Sequence, residues 1–135
     1  EFFRLTEDKE GLGRRGDIVA LEVNMRPAGG YTPDMLNFSQ SVDVYQIWAD
    51  MVAFDQRRHP YQGEHRYCIY AGRRDGVDYA MDMDELHARC GEHARLFTRM
   101  PDALAGAMGN QVAIACFDTK EEMERFVHDA FALRV

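Results

Sequence analysis

No basic surplus is present in this chain: 16 Lys and Arg stand against 23 Asp and Glu, a formal net charge of −7. Neutralising many phosphates needs the opposite balance, so the composition argues against broad nucleic-acid binding and against adhesion to an anionic membrane. No apolar run approaches the roughly 20 residues of a membrane helix, and the first residues do not read as a signal peptide. Cys68, Cys90 and Cys116 are odd in number, widely separated and without a C-x-x-C pair. That usage reads as a reduced, cytoplasmic chain whose cysteines belong to the core. His59, His65, His87, His93 and His128 are never four residues from one another and pair with no cysteine, which leaves a zinc site little support. Ser39 and Ser41 lack a glycine elbow, so a serine nucleophile is not indicated. Internal repeats and low-complexity tracts are absent.

What is there is ordinary globular material. The 135 residues are 46% apolar and 29% charged, enough for one domain or two small lobes. Residues 1–5 and 17–26 read as two strands joined by a polar loop, with Asp17–Leu21 entering as the apolar run of a buried strand. Pro27 and Gly29-Gly30 break the second strand. Thr32 is placed to cap a short helix with Pro33 at its first position. A second helix begins near Asp43, and Val44, Ile47, Trp48, Met51 and Val52 recur at helical spacing, as a core stripe does.

The polar residues 55–64, with Pro60 and Gly63, mark a boundary between residues 1–56 and a small lobe at 65–135. In that lobe His65–Arg74 reads as a strand, Asp75-Gly76 as a hairpin turn and Val77–Met81 as the return strand. An acidic start at Asp82, Asp84 and Glu85 leads into a helix expected to reach about Met100. Gln111–Phe117 is a clear strand, and Thr119 with Glu122 forms a capping box ahead of a helix striped by Met123, Phe126, Val127, Ala130 and Phe131. The class is therefore α+β, and the lobe order β-β-α-β-α predicts a small sheet with helices on one face.

Gly11-Leu12-Gly13-Arg14-Arg15-Gly16 matches G-x-G-x-x-G. That fingerprint works only when a helix follows, because the helix amino terminus holds the pyrophosphate. Here a strand follows, so the glycines read as a hairpin loop.

Glu22, Asn24 and Arg26 occupy alternate positions, and in a strand they share one face. One reading is a solvent-facing row in which Arg26 pairs with Glu22. The other is a metal–phosphate site: Glu and Asn are hard oxygen ligands for Mg²⁺, and Arg is a planar fork for phosphate or carboxylate. The apolar entry and the Gly-Gly turn, where backbone can approach a ligand, favour the second.

The segment Glu22-x-Asn24-x-Arg26-Pro27-x-Gly29-Gly30 resembles the ATP-grasp superfamily, whose large-domain strand carries E-x-N-x-R followed by Pro and glycines. Glu1-Phe2-Phe3 is similar to the preceding family strand, and the helices after Thr32 resemble biotin-carboxylase-like and carbamoyl-phosphate-synthase-like members. The resemblance covers about residues 1–54. It implies that Glu1, Glu22 and Asn24 ligate Mg²⁺, that Asn24 and Arg26 meet the nucleotide, and that Arg26 acts catalytically on a carboxylate or acyl phosphate. It further implies ATP and a small carboxylate as partners, and ligation of that carboxylate to a nucleophile. The family's glycine loop, its lysine and its adenine-binding segment are not found in the chain. The expectation is a carboxy-terminal fragment, inactive alone, whose further partner is the amino-terminal remainder of the enzyme; homo-oligomerisation is left open. A non-catalytic α+β binding or interaction module is the alternative. No site residue is assigned in 65–135.

Overall fold

The computed structural model describes residues 2–23, 26, 28–60 and 63–134. Among them the class is α+β, with antiparallel sheets and five α-helices. Strands β1 (Phe2–Arg4) and β2 (Ile18–Ala20) form an antiparallel hairpin. Helices α1 (Thr32–Gln40) and α2 (Val44–Phe54) follow. Then come β3 (Tyr67–Arg73), α3 (Met83–Cys90), a 3-10 turn (Gly91–His93), β4 (Ala94–Arg99), α4 (Asp102–Met108), β5 (Gln111–Phe117) and α5 (Lys120–Phe131).

The three-stranded sheet has the order β3-β5-β4, with β5 antiparallel to both neighbours. β3 and β4 are thus parallel to each other and split by β5. β5 reads as a continuous apolar run because both of its faces are covered, and Val112–Phe117 are buried throughout. One cluster joins Ala71, Ala113, Ala115 and Phe117 of the sheet to Leu86 and Cys90 of α3 and to Phe126 and Ala130 of α5. Val112 and Ile114 face the other side, where Met35 and Phe38 of α1 and Ala105 and Met108 of α4 pack. Each large apolar side chain buried this way contributes roughly 1.5–3 kcal/mol.

Helices therefore cover both sheet faces, not the one face expected. α1 crosses the boundary placed at 55–64: the Arg66 N–H donates to the Ser39 carbonyl at 2.8 Å, Gln40 Nε2 lies 2.8 Å from His65 Nδ1, and the Tyr31 and Tyr70 rings are 6.3 Å apart.

Local signals explain where expectation held. Thr119 and Glu122 form the capping box of α5, and Asp43 accepts the Tyr45 and Gln46 amides at the start of α2. Thr32 is instead the first residue of α1, with Tyr31 in the cap position and no side-chain cap. The long helix expected from Asp82 stops at Cys90. Gly91, at φ 56°, donates its N–H to the His87 carbonyl, a left-handed exit that only glycine makes cheaply, and Ala94–Arg99 continue as β4. The helix α4, absent from the sequence reading, ends on Gly109 at φ 95°. Its last carbonyls are capped from β3: Tyr70 Oη donates to Met108 at 2.8 Å, and Arg74 donates to Ala105 and Gly106 at 2.5 and 2.9 Å.

Val77–Met81 is not a return strand; Tyr79 makes only an isolated bridge, to Leu133. The segment wraps the buried Arg73 instead. That guanidinium donates to the Met81 carbonyl at 2.6 Å and to the Asp82 carbonyl at 3.5 Å, which draws residues 79–82 over the strand end and out of β pairing.

The apolar stripe of α2 does not enter a core. Trp48 and Met51 are each 42% exposed and Val52 70%, while Val44 and Ile47 are half-buried. The buried residue of this helix is Asp50, whose carboxylate accepts Gln46 Nε2 at 2.9 Å and the Arg58 N–H at 3.2 Å. Spacing marks an apolar face; it does not say what covers that face.

Candidate functional site

The hairpin determines where the motif lies. Phe2, Phe3 and Arg4 oppose Ala20, Val19 and Ile18. Beyond the strands, Leu5 N–H donates to the Asp17 carbonyl at 2.9 Å and Gly16 N–H to the Leu5 carbonyl at 2.8 Å. Gly11, Gly13 and Gly16 all have positive φ, at 76°, 148° and 96°. Asp17 Oδ2 accepts the Arg14 N–H and Asp8 Oδ1 the Arg15 N–H, both at 2.8 Å, so carboxylates organise the loop locally. No helix starts at Gly16, and the glycine motif is a hairpin connection as its context required.

The strand reading of residues 17–26 is corrected in two ways. β2 ends at Ala20, so pleat alternation does not extend to Glu22. Nor is the strand buried: Ile18 is 64% and Leu21 56% exposed, and only Val19 in β2 is half-covered. A two-stranded ribbon has no second layer to bury against, and an apolar run cannot supply one.

Glu22 and Arg26 follow the hairpin as exposed residues. Glu1 and Asn24, with Pro27, lie outside the described residues. The chain then turns through Gly30, at φ 62°, into α1, whose carboxy-terminal half is fastened to the sheet. Among the described residues no group of three or more His, Cys, Asp or Glu is gathered as a metal ligand set.

The histidines are held by local partners. His87 stacks on Phe97 with ring centroids 4.5 Å apart, and His93 lies 4.9 Å from Phe117 with Nδ1 3.2 Å from the Cys116 carbonyl. Cys90 and Cys116 are buried and Cys68 half-buried. Burial pushes the Cys90 thiol up to about 11, which makes it inert at neutral pH. A polar cluster that the sequence did not flag sits at the end of β3: Arg99 meets Asp75 at 2.5 Å and Gln111 Nε2 donates to the same carboxylate at 3.0 Å. The hydrogen bond from Arg99 is the main reason that the Asp75 carboxyl is held below its usual value. Asp75 lies in the turn after β3, Arg99 at the end of β4 and Gln111 at the start of β5, and no sequence spacing links them. None of the described helices is long and apolar enough to cross a membrane.

In comparison with known proteins, the chain matches no family model, no curated protein and no solved structure.

Proposed function

We propose that this chain is the carboxy-terminal fragment of an ATP-grasp-type enzyme that ligates a carboxylate to a nucleophile through an acyl phosphate. The observation that supports this reading is the hairpin register. With Phe2 opposite Ala20, the start of the first strand lies beside the chain that runs on into Glu22. A carboxylate beside such a strand start is the hard oxygen ligand that a cation shared with phosphate oxygens needs.

The described part of the donor set fits such a group. Glu22 is an exposed carboxylate, the ligand chemistry Mg²⁺ prefers, and Arg26 is an exposed guanidinium near it in sequence. In this reading Glu1, Glu22 and Asn24 hold Mg²⁺, and Asn24 and Arg26 meet the nucleotide. ATP with its metal supplies the phosphoryl group that activates the carboxylate. Arg26 orients that carboxylate or acyl phosphate through paired N–H donors, and its charge stabilises the negative oxygens as they transfer. Among the described residues, a Cβ added at Gly29 would meet nothing within 4 Å, and one at Gly30 would meet only Met108 Cε, 3.4 Å away.

The test is magnesium-dependent nucleotide binding by the complete enzyme. Glu22→Gln keeps the shape and removes the charge, and it is expected to weaken ATP binding with Mg²⁺ present. Equal binding by the two proteins overturns the assignment. A non-catalytic interaction module is the second reading, favoured by the exposed apolar side chains of the hairpin and of α2.

A further inference from the structure

β3 and β5 pair in a register that sets Cys68 directly opposite Cys116. Both side chains point to the α1 face. Cys68 packs with Tyr70 and Ile114 in the second cluster, and Cys116 Sγ donates to the Phe38 carbonyl of α1 at 3.4 Å. We propose that Cys68 and Cys116 are an oxidisable pair that closes a disulfide between β3 and β5.

Geometry carries this inference. Directly opposed residues of an antiparallel pair have Cα atoms about 4.5 or 5.5 Å apart, and both separations lie within the roughly 4.4–6.8 Å that a disulfide spans. The Cβ atoms of such a pair, about 4.5–5.5 Å apart, need to close by roughly 1 Å to reach the ~3.5–4.5 Å of a disulfide. The two thiols face each other across the strand pair, on the same side of the sheet. Access is one-sided. Cys68 borders an open groove of about 390 Å³, together with Met35, Ser39, His65, Tyr67 and Met123. Cys116 is 1% exposed and does not line that groove. Cys90 belongs to the cluster on the opposite sheet face and is no partner to either.

With a small disulfide as oxidant, the reaction is two successive exchanges. The Cys68 thiolate attacks one sulfur of the oxidant, forms a mixed disulfide and releases the other sulfur as a thiolate. The Cys116 thiolate then attacks Cys68 Sγ and releases the second thiolate. Two protein thiols and one disulfide become one protein disulfide and two small thiols, which take up the two protons lost from the cysteines. Burial, then the neighbouring Cys116, pushes the Cys68 thiol up to about 12, so little thiolate exists at neutral pH and the first exchange is slow there. Its rate should rise about tenfold per pH unit over the range below that value. Closure also removes the Cys116 S–H donor from the Phe38 carbonyl, one of the last four carbonyls of α1 with no partner inside the helix. The bond thus locks β3 to β5 and at the same time releases one hydrogen bond from the sheet to α1.

The experiment treats the native 135-residue chain with oxidised glutathione at pH 7, 8 and 9, followed by intact mass and peptide mapping. Expected are a loss of two hydrogens, a Cys68–Cys116 link and a rate that climbs with pH. Cys90→Ser should form the link at the same rate, and Cys116→Ser should stop at a glutathione adduct on Cys68. The proposal fails if the native chain gives no link at pH 9, if the link engages Cys90, or if it appears only after denaturant is added. Mapping of the unsubstituted chain decides the matter even where a variant does not fold.

Discussion

The guanidinium of Arg73 lies over the ring of Tyr79, 3.9 Å from its centroid. Arg73 is 2% exposed and faces no carboxylate partner at hydrogen-bonding distance among the described residues; the ring and the carbonyls of Met81 and Asp82 receive its charge. Burial draws its pKa below the ordinary arginine value, and the contact with Tyr79 opposes that shift. Lysine offers a point charge where a planar fork is needed. Arg73→Lys should therefore cost on the order of 2 kcal/mol. Urea unfolding of Arg73→Lys, Tyr79→Leu and the double variant should show a coupling of about 1 kcal/mol between the sites. Strict additivity would mean that the stacking contributes nothing.

Gly72 is fixed by a close approach. A Cβ there would collide with the carbonyl oxygen of Met108, the atom that also accepts the Tyr70 hydroxyl. Backbone cannot yield as a flexible side chain can, so Gly72→Ala should push α4 off the strand and cost about 1–3 kcal/mol. A fall in the denaturant midpoint at constant slope is the expected result. A midpoint equal to that of the unsubstituted chain would show that α4 relaxes without loss.

Asp75 gives a pH signature. Its folded-state pKa is lowered from 3.8, chiefly by the hydrogen bond from Arg99, so its contribution is present above that ordinary value. It is lost as pH falls through the lowered folded value, where the carboxylate takes up a proton. The melting temperature of Asp75→Asn should lie below that of the unsubstituted chain at neutral pH, and the gap should close in acid. A gap that stays constant as pH falls below the ordinary carboxylate value would contradict this.

On the proposed ligase reading, Arg26→Lys in the complete enzyme should leave the melting temperature unchanged, because the exposed side chain packs little. It should slow turnover roughly a hundredfold, the scale of losing one transition-state donor of about 3 kcal/mol. Unchanged turnover would sink the catalytic role of Arg26. On the same reading the isolated 135 residues should not hydrolyse ATP, since half a cleft would leave phosphates in water; robust hydrolysis would refute the fragment reading.

These outcomes differ in how far the sequence could foresee them. Capping is local, so Thr119 with Glu122, and Asp43, announced their helices correctly. Gly91 carried an equally local stop signal, but the apolar spacing of Leu86, Cys90, Ala94 and Phe97 ran past it. In the fold the same residues divide between a helix and a strand that both face one cluster. Trp48 and Met51 show the opposite limit, because periodicity marks a face and the rest of the fold decides whether anything covers it. Of the candidate site, Glu22 and Arg26 were legible as residue types, yet the strand expected to align them ends at Ala20. The Arg99–Asp75–Gln111 cluster was invisible, since each member comes from a different part of the chain.

The position of β5 also governs the order in which this molecule can assemble. It is the last strand in sequence and the middle one in space, and β3 and β4 touch only through it. As the chain leaves a ribosome, β3 waits for partners 38 to 50 residues downstream, from Arg73–Gln111 at one end of the register to Tyr67–Phe117 at the other. Such nonlocal pairing must close a long loop before any ladder bond rewards it, which slows folding. Until Phe117 has emerged, two strand edges stand open to the strands of other nascent copies.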